Sequence, residues 1–235
     1  MTPNPLARFK PHSRKSLLQF LLLALILILA AAWSSAAITL VALRFVDPPT
    51  TAVQVERRMQ AFFHGNPYQK RYTFVPLSQI SPNLQHAVIA AEDGRFYQHH
   101  GFDWRAIQIA AEGDLEGSRI RGGSTLTQQL VKNLFFGTSR SILRKGAESS
   151  LVPVAEIVLG KQRILELYLN VVEWGPATYG AEASCRTHYR TPARKITREQ
   201  AARLAAILPA PLKRRPERME HYSALILERM RQTDW

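Results

Sequence analysis

Three clusters of polar side chains have the types and spacing for chemistry. The first runs Glu92-Asp93-Gly94-Arg95-Phe96-Tyr97-Gln98-His99-His100-Gly101. Two adjacent carboxylates close an apolar run, an aromatic and a histidine follow, and a glycine turn ends the segment. A carboxylate at the edge of an apolar wall is harder to ionise than one in water, which suits general-base work. The second is Gly122-Gly123-Ser124-Thr125-Leu126-Thr127-Gln128-Gln129-Leu130-Val131-Lys132-Asn133. Glycines ahead of a helix start expose backbone N–H groups, hydroxyls and amides add donors, and Lys132 adds charge, so a phosphate or a sugar could bind there. The order of residues is not that of a P-loop. The third is Arg144-Lys145-Gly146-Ala147-Glu148, followed by Ala155-Glu156. Two cations stand one helical turn before a carboxylate. Each cluster alone also has an ordinary reading: solvated acids, a capped helix and an intrahelical ion pair. His99 and His100 do not make a metal site, because adjacent histidines point different ways and no spaced Cys, His or Asp set completes them.

The elements that must position these groups read as helices. Ser81-Pro82 is a helix start, and Leu84, Ala87, Val88 and Ala91 recur at helical spacing behind it. Thr125 with Gln128 has the capping-box form. Lys161-Gln162-Arg163 leads into an amphipathic helix carrying Ile164, Leu165, Tyr168, Leu169 and Val172. Thr197 with Gln200 opens another, which Pro209 and Pro211 end. There is no run of alternating strand character, no repeat and no low-complexity tract, so the domain is expected to be mainly α-helical. The basic tail after Lys213 reads as a solvated surface or a membrane-facing helix.

The 235 residues carry 31 Lys+Arg against 18 Asp+Glu, a balance that favours an anionic membrane surface, a phosphorylated substrate or nucleic acid. The single cysteine, Cys185, excludes an intrachain disulfide and reads as a packed small residue. Ser16 to Leu43 contains no charged residue, and its first part is almost wholly apolar. A bilayer core takes about 20 such residues in a helix, more than the ~7–15 of a secretory apolar region, so the tract reads as an anchor. Arg8, Lys10, Arg14 and Lys15 precede it without an acid, which places the N-terminus in the cytoplasm and the rest outside. That topology argues against nucleic acid as a partner.

In order and spacing the clusters resemble glycosyltransferase family 51, the peptidoglycan glycosyltransferases. Glu-Asp-x-x-Phe-x-x-His-x-Gly is met from Glu92 to Gly101, and Gly-Ser-Thr-x-Thr-Gln-Gln-Leu-x-Lys-Asn from Gly123 to Asn133. Arg-Lys-x-x-Glu is met at Arg144 to Glu148, and Ile-Leu-Glu-x-Tyr-Leu-Asn at Ile164 to Asn170. The stretch Ala201 to Pro211, with its Leu-Pro-x-Pro end, also looks like the family. The resemblance covers residues 47 to 216. Bifunctional members continue into a transpeptidase domain, so this chain is expected to be monofunctional. Pro153 departs from the pattern and is expected to bend the helix that carries Glu148 and Glu156.

The resemblance implies a lysozyme-like helical glycosyltransferase domain behind one N-terminal transmembrane helix. The expected division is a cytoplasmic tail at 1–15, the anchor at 16–43, a juxtamembrane linker at 44–74, the catalytic domain at 75–216 and a tail at 217–235. It implies lipid II and the growing glycan chain as substrates, joined by an inverting displacement into a β-1,4 bond with release of undecaprenyl diphosphate. Glu92 would be the base that takes the acceptor hydroxyl proton. Glu148 would be a second catalytic carboxylate, acting as a proton donor or through neighbouring cations or a metal. Lys132, Arg140, Arg144 and Lys145 would neutralise the diphosphate. Ser124, Thr125, Gln128, Gln129 and Asn133 would line the cleft, and Asp93, Phe96 and His99 would shape Glu92. No cofactor is expected to be required, and a divalent cation could travel with the diphosphate. The membrane is an expected partner, cell-division or cell-wall synthesis proteins are compatible ones, and the expected location is the inner membrane facing the periplasm. The rival readings are a lysozyme-like lytic enzyme and an inactive membrane scaffold of the division machinery.

Overall fold

The computed structural model describes residues 14–115, 123–139 and 141–233. Gly122, Arg140 and the basic residues Arg8 and Lys10 therefore lie outside the described residues.

Helix α1 spans Arg14–Leu43. Within it Leu17–Leu43 is long and apolar enough to cross a membrane, and none of its most apolar window is buried against protein. A core helix of a soluble domain would be covered. Its end is docked. Leu40 and Leu43 are buried, and Arg163 donates to the carbonyls of Leu43 (2.8 Å) and Val46 (3.0 Å). Those carbonyls have no partner within the helix, so a guanidinium satisfies them and the helix dipole together. Arg44 returns a bond to Val158 O, and Trp33 Nε1 donates to Ser150 Oγ at 3.0 Å.

Helix α2, Ala52–Phe63, starts at Thr51, whose hydroxyl accepts from Gln54 N. The strand β1, Arg71–Tyr72, follows. Helix α3, Pro82–Glu92, starts as read, with Ser81 as cap and proline in the first turn. Helix α4 is Trp104–Leu115. Helix α5, Leu126–Phe135, has the complete Thr125/Gln128 capping box. Helix α6, Ile142–Val171, lies along α5 and also receives α1. Strands β2, Glu173–Gly175, and β3, Thr178–Tyr179, precede α7, Ala181–Tyr189. Helix α8, Arg198–Ala205, is capped by Thr197 and Gln200, and α9, Glu220–Gln232, ends the domain.

The core lies where α3 meets α8 and α9 on one side and α5 packs on α6 on the other. Phe96, Tyr168, Trp174 and Tyr179 are its largest fully buried side chains. The mainly helical expectation holds. Four features go beyond the sequence reading. The strands form a small sheet in the order β1-β3-β2, parallel for β1 with β3 and antiparallel for β2 with β3. Strands of two or three residues are too short to show period-two alternation. The tail after Lys213 is not only a solvated surface. Helix α9 buries Ile226 and Met230, an i,i+4 pair among arginines, against α3 and α8. Pro153 lies inside α6, whose helical dihedrals continue through it. The only residue inside it with non-helical dihedrals is Gly160, at φ 71 and ψ 164, a conformation that side chains with a Cβ rarely adopt. The segment 44–74, read as a linker, carries α2 packed on α5 and β1 paired with β3.

Candidate active site

Glu92 is the last residue of α3 and half-buried at the rim of a cleft of about 330 Å³. Asp93, Arg95, Asp103, Ser124 and Thr125 share that cleft. Burial of the α3 run Leu84, Ala87, Val88 and Ala91 fixes where the helix ends. The carboxylate is held by a relay. Gln129 Nε2 donates to Glu92 Oε2 at 2.9 Å, and Tyr168 O–H donates to Gln129 Oε1 at 2.9 Å. Burial, then the negative charges of Glu92 and Asp93, hold the Tyr168 hydroxyl well above its ordinary pKa, so it stays a donor. Removing that donor is expected to cost function more than fold. Tyr168→Phe should lower kcat about tenfold with KM little changed, because the amide that aims Glu92 loses its restraint. A pH–rate profile checks the assignment, since a merely structural role would leave its acid limb in place.

Asp93 and His99 build the turn behind Glu92. Asp93 accepts from His99 Nε2 (2.9 Å) and from Leu126 N (2.9 Å), so the loop is tied to the first turn of α5. Gly101 N–H donates to His99 Nδ1, which places the ring proton on Nε2. Gly101 itself sits at φ +93, and a Cβ there would come within 2.5 Å of Val152 Cγ1. Phe96 is fully buried beneath this turn, with Lys161 Nζ 4.5 Å from its ring centre. Lys161 also pairs with Glu156 at 2.8 Å, and Glu156 accepts from Thr127 Oγ1. Asp93, Phe96 and His99 thus support the loop that presents Glu92. Gln128 is buried and its carbonyl caps Thr125 N, while Thr125 Oγ1 donates to Gly101 O.

The cations gather next to this rim. Arg144 pairs with Glu148, and Lys145 Nζ lies 3.7 Å from Glu148 Oε2 and 3.4 Å from Ser124 Oγ. Glu148 is only 1% exposed. Burial, then the charge of Arg144, pulls the Lys132 ammonium below the usual lysine range, against the opposing pull of Glu92 and Glu173. Lys145 is lowered too, by burial and then by Lys132 and Arg144. Three cations are therefore near enough to repel one another. Arg144 and Lys145 share one fully buried carboxylate, Glu148, and Lys132 feels the charge of Glu92. Such an excess in a partly desolvated cleft fits a multiply charged anion.

Lys132, Gln129 and Asn133 line a second cavity of about 390 Å³, closed by Arg57, Glu173 and the Pro209–Lys213 loop. Arg57 and Glu173 escaped the sequence reading. Arg57 Nη2 lies 3.0 Å from Glu173 Oε2, and Nε donates to the same carboxylate. Burial lowers the Arg57 pKa, but the Glu173 bond and charge outweigh it and raise it overall. Asp103 and Arg95, also missed, form a pair on the first cavity's wall. Burial opposes ionisation of Asp103, yet bonds from Ala106 N and Arg95 bring its pKa below the ordinary value. Among the described residues no group of three His, Cys, Asp or Glu side chains is arranged to hold a metal ion. Cys185 is buried, and burial pushes its thiol up to about 12.

Residues 56–231 match the family model described as transglycosylase. The chain is 46% identical over 190 residues to the biosynthetic peptidoglycan transglycosylase of Pseudomonas entomophila (strain L48), covering 81% of this chain and 80% of that one. It is 48% identical over 181 residues to the protein of that name from Pseudomonas fluorescens (strain SBW25), covering 76% and 75%. With that from Pseudomonas syringae pv. syringae (strain B728a) the identity is 47% over 184 residues, covering 77% and 78%.

Proposed function

Because the chain belongs to the transglycosylase family, we propose that it is a peptidoglycan glycosyltransferase that polymerises lipid II, with Glu92 as general base. The observation that carries this reading is the coupling of an aimed carboxylate to a cation cluster. Gln129 holds Glu92 at the first cleft, and Lys132 feels the charges of both Glu92 and Arg144. The base takes the proton of the acceptor sugar's 4-hydroxyl. The freed oxygen attacks the anomeric carbon of the growing chain from the face opposite its diphosphate. One displacement forms the β-1,4 bond and inverts the centre, and undecaprenyl diphosphate leaves with its charge on Lys132, Arg144 and Lys145. A divalent ion accompanying the diphosphate is compatible with the same cluster. A lytic enzyme acting on neutral glycan has no use for such a clamp. Helix α1 supplies a single membrane anchor. The basic residues before it favour an N-terminus in the cytoplasm and a catalytic domain on the periplasmic side of the inner membrane.

The test is incubation with labelled lipid II and, separately, with finished peptidoglycan. Polymer from lipid II with no sugar released from finished glycan is the expected result. The reverse pattern would sink the reading.

The clamp has its own prediction. Lys132→Met is expected to lower kcat/KM for lipid II about a hundredfold, mainly at low substrate concentration. The same substitution should not lower the melting temperature. The folded state depresses the pKa of Lys132, so at neutral pH its charged form is held at a cost that methionine removes. By the same sign, that cost is relieved as pH rises through the lowered pKa. The wild-type clamp then loses charge, and KM for lipid II should climb in the alkaline range below that of an ordinary lysine.

A further inference from the structure

The second cavity has a rim whose purpose the chemistry above leaves open. Helix α2 supplies three neighbouring side chains to that rim, and they reach two different elements. Glu56 accepts from Thr138 N at 2.6 Å and from the Thr138 hydroxyl, in the loop that joins α5 to α6. Gln60 is the bridge: its Nε2 donates to Glu56 Oε1 at 3.0 Å, and its Oε1 accepts from Arg57 Nη1 at 3.0 Å. Arg57 then bonds Glu173 on β2 through Nε (3.1 Å) and Nη2 (3.0 Å). The loop end of the chain calls for glycine, because Gly137 sits at φ +75 and a Cβ there would collide with Glu56 Oε2. Thr138, Arg57 and Glu173 line one cavity together with Lys132.

Glu173 is the acid of that cavity wall. It is 6% exposed, and besides Arg57 the Tyr179 hydroxyl donates to its Oε1 at 3.5 Å. Burial, then the bond from Tyr68 and the charge of Glu173, hold the Tyr179 hydroxyl far above its ordinary pKa, so it stays a donor. The charged groups around Lys132 come from four elements and a loop. Arg144 and Lys145 on α6 oppose its charge, whereas Glu92 on α3 and Glu173 on β2 favour it. Arg57 on α2 and Lys213 in the loop after α8 complete the cavity wall. Two acids thus support the lysine against burial and its fellow cations, and their duties differ. Glu92 loses its charge whenever it takes the acceptor proton. Glu173 is committed to Arg57 and has no such step, so its support lasts through the cycle.

We infer that Glu173, fixed by Arg57, is a positioning residue for Lys132: a permanent anion in the cavity wall that keeps the lysine charged for the diphosphate of the next substrate. The inference rests on the proposed function for the identity of what Lys132 binds. Glu173 acts through Lys132 and not by touching the reacting atoms. Helix α2 gains a task from it. Arg57 holds the anion in place, and Glu56 holds the loop that leads from Lys132 toward Arg144 and Lys145.

The experiment uses the full chain in phospholipid vesicles. Trace acetic anhydride is applied across a pH series without substrate, and peptide mapping gives the pH midpoint at which Lys132 becomes reactive. Glu173→Gln should lower that midpoint by about one pH unit, and the alkaline rise in KM for lipid II should move with it. Glu173→Asp keeps the charge and should return both close to the wild-type position. The double variant Arg57→Gln with Glu173→Gln leaves no unpaired charge and takes the place of a single variant that does not fold; its midpoint should fall as well. A folded glutamine variant with its midpoint at the wild-type position would overturn the inference. So would an aspartate variant whose midpoint falls as far as that of glutamine, since the effect would then be one of shape. A wild-type enzyme that polymerises lipid II, with the midpoint unmoved in both glutamine variants, removes the counter-ion and leaves the function standing. A wild-type protein that makes no polymer, but whose midpoint falls with glutamine and recovers with aspartate, removes the function and leaves the counter-ion.

Discussion

Glu92→Gln is expected to fold, bind lipid II and turn over about a thousandfold more slowly than the wild-type protein. The substitution keeps the shape and the hydrogen-bonding reach of the side chain. Glutamine can still meet Gln129 through its own carbonyl, so the relay from Tyr168 survives in outline. What is lost is the capacity to accept a proton. The acceptor hydroxyl then attacks as a neutral oxygen, and the carbon–oxygen bond must form before water removes the proton. Continuous turnover on labelled lipid II measures the loss, and thermal unfolding checks the fold. Binding checks the rest, since the cations proposed to hold the diphosphate are unchanged and KM should stay within a fewfold of the parent. Wild-type turnover in this variant would take the base assignment away from Glu92. A large rise in KM would move its role from proton transfer to substrate contact.

The parts of this site legible in the sequence are the local ones. Ser81-Pro82, Thr125 with Gln128, and Thr197 with Gln200 all cap helices as their spacing predicts. A cap is decided within four residues, so no tertiary contact can rearrange it. Glu92, Glu148 and the three described cations came from ordered motifs, and their grouping depended on the resemblance to a family. The relay behind Glu92 was not legible. Gln129 lies 37 residues from Glu92 and Tyr168 lies 39 from Gln129. Tyr168 reads in sequence as one more apolar position of an amphipathic helix. Arg57 and Glu173, 116 residues apart, were hidden for the same reason. The structure divides the apolar run Leu134 to Phe136 between core and surface. Leu134 is buried, whereas Phe135 and Phe136 line a groove beside α1. A bend in α6 was expected at Pro153, and the residue with non-helical dihedrals is Gly160. Proline within a helix loses one hydrogen bond but keeps a helical φ, whereas the observed φ at 160 calls for glycine.

Glu148→Gln is the second substitution with a large expected effect, and it separates two roles for that carboxylate. Glu148 is buried, pairs with Arg144 and lies close to Lys145. A proton donor to the leaving diphosphate would need to reach it, whereas a counter-ion needs only to hold the cations in place. The geometry favours the counter-ion. Removing one partner of a buried ion pair costs about 3–5 kcal/mol, because the other charge stays buried and unpaired. Here the cost is compounded, since Arg144 is already repelled by Lys132 and Lys145. Glu148→Gln should therefore lower the melting temperature markedly and cut turnover about a hundredfold as the clamp spreads apart. The double variant Arg144→Gln with Glu148→Gln removes both charges. It should recover most of the stability while activity stays low, a coupling that a double-mutant cycle reads directly. A proton donor predicts another pattern: Glu148→Gln alone would melt close to the wild type, and its turnover would lose the dependence on pH that the carboxyl supplied. If the single variant keeps its stability and loses its activity, Glu148 belongs to the chemistry. If it loses both and the double variant regains only stability, the carboxylate acts by keeping Arg144 and Lys145 in place.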